Sequence, residues 1–319
     1  MFLKQINNLD EFSTIAQAHI GVWGSKEWLS IYDNLSVIGI YNNDQLLIGG
    51  FYYLATKKMG MSFAKLPPYS PHCGLFFNYN GKNTSSIHTF TKEIIEEIAS
   101  YFDQKKYALF ISAFPFSITD LQPFIWKKYK VIPNYTYRIN LTQSVEVIKS
   151  NYDSKNRNAI NKALNSELTV FENKLSNTEL HDFFYSSLQK TKANIYTDEL
   201  KNIFTKFSNA HNSFSFSAFK SNELVGTVFC IYDKETCYYL LGGVNKEFNI
   251  QGVNNLLLSK SIEKAKDLGC NVFDFEGSML KGVEKFFRGF GGQLVPYFTV
   301  NKAILPLEIV LKFKKRNIF

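Results

Sequence analysis

The stretch TCYYLLGGVNKEFNIQGVNNLLLSKSIEKAKDLGCNVFDFEG, residues 236–277, carries the local signals that decide the fold. It opens with an apolar strand, which leads into a loop rich in Gly and Asn over 245–252. The spacing of apolar residues then predicts a helix over 253–268, which Gly269 ends as a C-terminal cap. A second strand follows over 271–277. This order of strand, loop, helix and strand is typical of an α/β unit.

Across the whole chain, one order of elements occurs twice: a strand, two helices, two or three strands, a helix and a strand. The first copy begins with a strand over 2–6, and the second begins with a strand over 167–173. A repeat of this size indicates two tandem domains, joined by a polar and basic helical stretch. The predicted divisions are the N-terminal domain, the basic linker, the C-terminal domain and a basic tail: 1–145, 146–165, 166–303 and 304–319.

The composition excludes several classes of protein. Of the 319 residues, 45% are hydrophobic and 20% are charged, which excludes a mainly disordered chain. The chain has no run of about 18 apolar residues and no signal-peptide pattern, so we expect a cytoplasmic protein without a transmembrane segment. The net charge of +8 favours anionic partners. The five His and four Cys lack metal-ligand spacing, so no metal site is predicted.

Three motifs in the second half resemble those of one known family. They are DSKNRNAINKA (153–163), FDFEGS (273–278) and GVEKFFRGFGG (282–292). Together they are similar to the basic helix, the strand-to-loop motif and the short helix of FemAB-like proteins, a group of double-GNAT acyltransferases. The resemblance covers residues 150–300, whereas over residues 1–140 it rests on the element order, on WGSKEWL and on PPYSPHCG. It implies an α/β fold with mixed sheets, in two tandem GNAT-like domains with a cleft between them.

The resemblance also implies an activity. FemAB-like proteins transfer an acyl or aminoacyl group from an activated carrier, acyl-CoA or aminoacyl-tRNA, to an amine of a cell-envelope precursor or an amino sugar. The carrier is a co-substrate, and no tightly bound cofactor is implied. No long helical arm of the staphylococcal tRNA-dependent type is predicted here, so acyl-CoA or a similar thioester is the first expectation. The alternatives are a tRNA-dependent enzyme that builds peptidoglycan cross-bridges and a binding protein that has lost catalysis.

The loop at 245–254 is the expected donor site. In a GNAT fold, the corresponding loop points backbone N–H groups at the CoA pyrophosphate, at the N-terminus of the next helix. The usual pattern of that loop is Q/R-x-x-G-x-G/A, of which this chain keeps Gly252 but has Asn249 and Asn254 at the other two positions. We therefore expect Gly252, Asn254 and Asn255 to bind the donor. The alternative is a loop whose Asn side chains cap the next helix.

Two carboxylates belong to the predicted strand over 271–277. Asp274 and Glu276 lie on one face of it, because successive side chains in a strand alternate between faces. Glu276 is the candidate general base for the proton of the attacking amine, a role that needs a pKa near neutrality. Asp274 is a candidate substrate-binding residue. The alternative for Asp274 is that it anchors the following turn by accepting backbone N–H bonds.

Two cations are expected near these carboxylates. Lys285 and Arg288 are three residues apart on the predicted helix over 282–292, so they lie on one face of it. Either cation could stabilise an oxyanion, and Arg288 could bind a phosphate group through two hydrogen bonds. The resemblance puts a Lys of the family at the position of Phe287, which favours altered or lost catalysis. A solvated basic face is the other interpretation.

Further candidate substrate contacts lie in the linker and in the first half. Lys155, Arg157 and Asn161 belong to the predicted linker helix, which suits a phosphate group of the donor or acceptor. Tyr69 and His72 lie in the loop KLPPYSPHCG, whose Pro and Gly residues require a fixed conformation. The resemblance implies that this loop lines the acceptor site. The alternatives are an ordinary solvated linker and a structural histidine.

The excess positive charge is concentrated near the C-terminus. Residues 279–319 contain eight Lys and Arg against two Glu, an excess of six positive charges. This distribution predicts a local anion site beside the acyl centre, rather than a surface that coats nucleic acid. It also predicts that the basic tail over 304–319 contacts the anionic inner face of a membrane, with a frayed tail as the alternative.

Overall fold

The structure is a computed structural model that describes residues 1–79, 81, 83–190, 195–277 and 279–314. The chain forms two compact units. The first unit contains Met1–Asn134 and the segment from Pro296 onward, and the second contains Tyr135–Val295. None of the described helices combines the length and the apolarity that are needed to cross a lipid bilayer.

The strands, in chain order, are β1 (Phe2–Ile6), β2 (Leu35–Tyr41), β3 (Leu47–Lys58), β4 (Met61–Lys65), β5 (Phe76–Phe77), β6 (Leu109–Ala113), β7 (Lys130–Asn140), β8 (Thr169–Glu172), β9 (Ser213–Lys220), β10 (Glu223–Tyr232), β11 (Thr236–Val244), β12 (Val272–Asp274) and β13 (Gln293–Ala303). The α-helices are α1 (Leu9–Ile20), α2 (Lys26–Leu29), α3 (Thr84–Lys105), α4 (Gln122–Trp126), α5 (Val145–Ser150), α6 (Ser154–Leu164), α7 (Asn177–Lys190), α8 (Thr197–Asn202), α9 (Val253–Asp267), α10 (Lys281–Arg288) and α11 (Leu305–Lys314).

The first unit is a mixed sheet crossed by one long helix. Its strands lie in the order β1-β2-β3-β4-β6-β13. Only β4 and β6 are parallel neighbours in this order, and α3 makes the connection between them. The side chain of Asn83 caps α3 by accepting the amide of Ser86 at 2.9 Å. The buried face of α3 then packs on the sheet through Ile94, Ile95, Ile98, Ala99 and Phe102.

The second unit has the same plan. Its strands lie in the order β7-β12-β11-β10-β9-β8, in which β11 and β12 are the parallel pair. The helix α9 connects these two strands and buries Leu257, Leu258 and Ile262 in the core. Gly269 follows α9 with a φ of +85°, the left-handed conformation of a C-terminal cap. The predicted order of strand, loop, helix and strand, and the mixed α/β class, are therefore confirmed.

The two units have different bounds from the predicted divisions. The segment predicted as a linker, 146–165, lies within the second unit. The reason is that α6 is not isolated in solvent: the amide of Asp153 donates to the carbonyl of Gly289 at 2.8 Å, and the buried Asn156 contacts both α9 and α10. At the other end, Thr299–Ala303 pairs with β6, so the end of β13 belongs to the first unit.

Candidate active site

The end of β12 holds a buried carboxylate with three polar partners. Oδ1 of Asp274 accepts hydrogen bonds from Oγ1 of Thr136 at 2.7 Å and from the amide of Glu276 at 2.9 Å. Its other oxygen lies 3.1 Å from Nε of Arg138, the residue directly opposite in β7. Asp274 thus anchors the turn that follows it, as the alternative interpretation of this residue expected.

Glu276 is positioned by this turn and not by the strand. The strand β12 ends at Asp274, so the prediction that the strand continues through residue 277 is wrong. Glu276 has a φ of +65°, which is uncommon for a residue other than glycine. The amide of Gly277 donates to Oγ1 of Thr136 at 3.1 Å and fixes the far side of the turn. Hydrogen bonds from two strands therefore hold the Glu276 backbone in its left-handed conformation.

The electrostatic environment makes both carboxyl groups weaker acids than usual. Burial raises the pKa of Asp274, although the Glu276 amide, Thr136 and Arg138 oppose this shift by favouring the charged form. Burial also raises the pKa of Glu276 well above its ordinary value, and the charge of Asp274 adds to this effect. Arg138 again acts in the opposite direction. A carboxyl group with a raised pKa suits proton transfer near neutral pH.

Thr136 and Arg138 were not among the predicted site residues. Both belong to YTYRIN (135–140), in which period-two alternation separates them from Tyr137 and Ile139. The side chain of Arg138 is only 19% exposed, which is low for an arginine. The available signal was a cation that alternates with the apolar Tyr137 and Ile139 along this strand. Its carboxylate partner could not be identified from sequence, because the β7–β12 register joins residues that are 136 positions apart.

The helix α10 presents the two predicted cations at its surface. Lys285 and Arg288 are both exposed, and Nε of Arg288 lies 2.9 Å from Oε1 of Glu284. The same oxygen accepts a hydrogen bond from the hydroxyl of Tyr137 at 2.9 Å, which links α10 to β7. Lys285 and Arg288 thus follow the helix that was predicted for them, with Arg288 already paired to one acid.

Phe287 is a core residue. Its ring is buried and packs against the rings of Phe275 at 4.7 Å and Tyr239 at 5.7 Å between centroids. Phe275 comes directly before Glu276, so this contact packs α10 against the turn that carries the candidate base. A lysine at position 287 would need to bury its ammonium group in this aromatic cluster. The local packing therefore explains an apolar side chain at this position.

The three predicted donor residues lie at the start of α9, with Gly252 at the N-cap and Asn254 and Asn255 in the first turn. Gly252 precedes the helix with a φ of +83°, and a Cβ atom there would lie 1.9 Å from the carbonyl oxygen of Ala159 in α6. Nδ2 of Asn255 donates to Oδ1 of Asn156 at 2.9 Å. Oδ1 of Asn254 is buried and has no hydrogen-bond partner among the described residues. The glycine is thus required by the close packing of α6 on α9.

The alternative interpretation of this loop is wrong in its detail. It expected Asn side chains to cap α9, but Gly252 occupies the N-cap position and no side chain caps the helix there. Asn245 caps the short 3-10 turn over Lys246–Phe248 instead, by accepting the amide of Glu247 at 3.2 Å. Asn249 ends that turn in the left-handed conformation, with a φ of +48°. The loop is therefore built as a separate turn before the helix.

The residues predicted from the linker divide into two groups. Lys155 and Asn161 are exposed on α6. The guanidinium of Arg157 donates to the carbonyl oxygen of Tyr152 and to that of Ser150, so it joins the end of α5 to α6. This contact is a physical reason for a structural role of Arg157. Asn156, which was not predicted, is a buried polar residue of α6 and contacts both α9 and α10.

Tyr69 and His72 belong to the first unit. Nδ1 of His72 accepts the amide of Gly74 at 3.1 Å, and burial lowers the pKa of His72 to about 4. The ring is therefore neutral at physiological pH, with its proton on Nε2. Tyr69 has a φ of +63°, and its hydroxyl group is buried. A substrate role of these two residues stays a prediction.

The described residues include no group of three or more His, Cys, Asp or Glu side chains arranged for a metal ion. All four cysteines, Cys73, Cys230, Cys237 and Cys270, are free and buried. Burial raises the pKa of Cys73 and Cys270 to about 12, so these two thiols are protonated at neutral pH.

The second unit is a mixed sheet whose crossover helix, α9, begins at a Gly-containing loop, and this fold was compared with those of known proteins. Residues 157–288 match the family described as the acetyltransferase (GNAT) domain. The crystal structure of FemX aligns with a TM-score of 0.63 at 13% identity, over 98% of this chain and 100% of that one. A tandem GNAT protein from the clavulanic acid pathway aligns with a TM-score of 0.53 at 9% identity, over 94% of this chain and 98% of that one.

A third solved structure is the C-terminal domain of a putative lysylphosphatidylglycerol synthetase from Agrobacterium fabrum. It aligns with a TM-score of 0.60 at 9% identity, over 95% of this chain and 94% of that one. No curated protein sequence matches the chain significantly. The predicted resemblance to FemAB-like GNAT proteins is confirmed: residues 157–288 match the GNAT domain model, and the chain is similar in fold to FemX and to the tandem GNAT protein over 98% and 94% of its length.

Proposed function

We propose that this protein transfers an acyl group from acyl-CoA or a similar thioester to an amine of a cell-envelope or amino-sugar precursor. The reaction would take place in the cytoplasm, at the inner face of the membrane. The observation that carries the proposal is Glu276: a half-buried carboxyl group with a raised pKa, held in a left-handed turn by Asp274 and Thr136. General bases of this kind serve attack by amines near neutral pH.

The proposed step is a direct attack within a ternary complex. The amine nitrogen forms a bond to the thioester carbonyl carbon, and Glu276 accepts the proton that the nitrogen loses. Collapse of the tetrahedral intermediate breaks the carbon–sulfur bond and releases the thiolate. Lys285 and Arg288 are the candidates for stabilising the oxyanion or a donor phosphate group, because both present their charge at the surface of α10.

The other predicted site residues have secondary places in the proposal. Gly252, Asn254 and Asn255 would receive the donor at the first turn of α9, where the buried Oδ1 of Asn254 is open to a hydrogen bond. Lys155 and Asn161 are the exposed polar residues of α6 that could contact substrate. The carboxyl group of Asp274 orients Glu276, so we propose a positioning role for it.

The test compares turnover of three variants with a panel of acyl-CoAs. Glu276→Gln should lower kcat/KM by roughly a hundred- to ten-thousand-fold, the usual contribution of a general base. Lys285→Ala and Arg288→Ala should each lower it by about tenfold or more if they contact developing charge. Lys281→Ala is the matched control, since Lys281 is an exposed lysine at the start of the same helix. Wild-type rates in all three variants would reject the site.

An aminoacyl-tRNA-dependent transferase is the second candidate, because the fold is similar to that of FemX over 98% of this chain and 100% of that one. Its mark would be tRNA binding whose affinity falls steeply with salt concentration. A thermal-shift panel separates the two donors, since a ligand that binds only the folded state raises the unfolding midpoint. A shift with acyl-CoA and none with tRNA favours the first candidate. Binding of a donor without any turnover would instead favour a protein that has lost catalysis.

A further inference from the structure

The helix α11 of the first unit exposes large apolar side chains to solvent. Leu305, Ile309 and Phe313 are spaced four residues apart, so their side chains lie on one face of the helix. Leu305 is 70% exposed and Phe313 is 87% exposed, whereas Leu307 and Leu311 on the opposite side are half-buried. Surface helices of globular proteins normally carry polar side chains on their exposed side. The apolar face of α11 is therefore unexplained by the packing of the first unit.

A second exposed apolar group lies beside the start of α11. Ile125 and Trp126 end the short helix α4, and the side chain of Trp126 is 59% exposed. Nζ of Lys302, three residues before α11, donates to the carbonyl oxygen of Lys127 at 3.0 Å. Nζ of Lys130 lies 2.8 Å from Oε1 of Glu308 within α11. These two contacts join the end of α4 to α11 within one unit.

Lysines surround both apolar groups. Nζ of Lys92 lies 5.2 Å from the ring centroid of Trp126, in cation–π geometry, and Lys127 and Lys128 directly follow this tryptophan. Together with Lys130, Lys302 and Lys312, these residues form a set of six lysines. Three carboxylates lie among them. The carboxylates are already paired to lysines of this set: Asp120 with Lys92, Asp103 with Lys302, and Glu308 with Lys130 and Lys312. Within this set, the lysines therefore exceed the paired carboxylates by three positive charges.

We infer that Ile125, Trp126, Leu305, Ile309 and Phe313, the apolar patch, dock the protein onto an anionic lipid bilayer. An exposed tryptophan and aliphatic side chains insert at the headgroup level, and the surrounding lysines pair with anionic lipids. The helix α11 has ten residues, about 15 Å in length, so it lies in the interface and does not span the bilayer. Docking would bring the proposed active site to acceptors that are linked to lipid. Binding of the patch to a bilayer does not itself require catalysis.

Tryptophan fluorescence offers a direct test. The chain has three tryptophans, of which Trp23 and Trp28 are fully buried and Trp126 is exposed. The full chain is mixed with vesicles of phosphatidylcholine alone, or of equal parts phosphatidylcholine and phosphatidylglycerol, that carry brominated acyl chains. Bromine quenches only a tryptophan that enters the bilayer. We expect quenching on the anionic vesicles, and we expect Trp126→Phe to remove it.

Binding of the variants to vesicles tests the patch itself. The double variant Leu305→Ser with Phe313→Ser should lower partition to anionic vesicles by about tenfold or more, since it removes two inserting side chains. The matched control is Leu46→Ser with Met59→Ser, which changes two similarly exposed residues in the turns after β2 and β3. Lys127→Glu with Lys128→Glu should remove the preference for anionic lipid. Glu276→Gln should bind vesicles normally, so a failure of catalysis and a failure of docking can be told apart.

Three results would overturn the inference. The first is the absence of bromine quenching on anionic vesicles. The second is an equal loss of binding in the patch variant and in the Leu46 and Met59 control. The third is a stable dimer in sedimentation experiments that the patch variant dissociates, because the apolar patch would then face a second copy of the chain.

Discussion

Glu276 combines a left-handed backbone with a carboxyl group whose charged form is disfavoured. The left-handed conformation alone costs a residue other than glycine roughly 1–2 kcal/mol. Asp274 and Thr136 compensate by accepting the amides of Glu276 and Gly277. Costs of this kind at a single residue are typical of functional sites, where the surrounding structure fixes an unfavourable conformation.

The raised pKa of Glu276 predicts how stability depends on pH. The folded protein holds this proton at pH values where the unfolded chain has lost it. The free energy of unfolding of the wild type should therefore fall, relative to Glu276→Gln, as pH rises from the ordinary glutamate pKa through the raised one. Urea unfolding of both proteins across this range measures the difference. A difference that stays constant with pH would contradict the raised pKa.

Arg138 predicts a large effect of one substitution. Its guanidinium is the cation beside Asp274, and the two side chains are only 19% and 9% exposed. Arg138→Met should destabilise the protein by about 3 kcal/mol, since it leaves the buried carboxylate of Asp274 without the cation that pairs with it. Urea unfolding at neutral pH gives the value, and Asp274→Asn in the same background should restore part of the loss. An unchanged free energy of unfolding in Arg138→Met would show that the pair of Arg138 and Asp274 does not stabilise the folded protein.

At the scale of elements, the contact between α6 and α9 fixes the proposed donor loop. Gly252 and Gly269 both have a positive φ, but only Gly252 has backbone atoms where a Cβ would lie. Gly252→Ala should therefore cost clearly more than the roughly 1–2 kcal/mol expected from the backbone conformation alone, and Gly269→Ala should cost only that amount. Thermal unfolding of the two variants measures this difference. Equal losses of stability in the two variants would mean that α6 can move away from the new Cβ atom without a cost in free energy.

The helix α9 and its cap at Gly269 were predictable because periodicity and capping are local signals. The turn at Glu276 was not, because the hydrogen bonds that end β12 come partly from Thr136 in a distant strand. Arg157 shows the same limit: a cation in a basic helix looks solvated in sequence, yet it caps α5. Local elements could thus be predicted from the sequence. The partners of the site residues could not, because they depend on strand register and helix packing.

At the scale of the whole molecule, the first unit depends on the end of the chain. Thr299–Ala303 pairs with β6, and the side chain of Val300 is fully buried. A chain that ends after residue 303 should retain cooperative unfolding of the first unit, whereas one that ends after residue 295 should lose it, because a sheet edge and an apolar core are exposed. Hydrogen exchange in β6 is the measurement. Equal protection in both chains would contradict the observed division.

The C-terminal excess of positive charge is also divided between the units. Lys281, Lys285 and Arg288 belong to the second unit, beside the candidate active site, and Lys302 and Lys312 belong to the first, around the apolar patch. Lys315 and Arg316 of the predicted basic tail lie outside the described residues. A single run of charge in sequence is therefore divided between the two units, and the anion site and the basic tail stay predictions.

The central claim is that Glu276 is the general base of an acyl transfer, and the pH dependence of kcat/KM tests it most directly. The wild type should lose activity as pH falls through a pKa above that of an ordinary glutamate, because the base becomes protonated. In Glu276→Gln this acidic limb should disappear, with a rate at least about a hundred-fold lower. An unchanged limb and an unchanged rate in Glu276→Gln would contradict the claim.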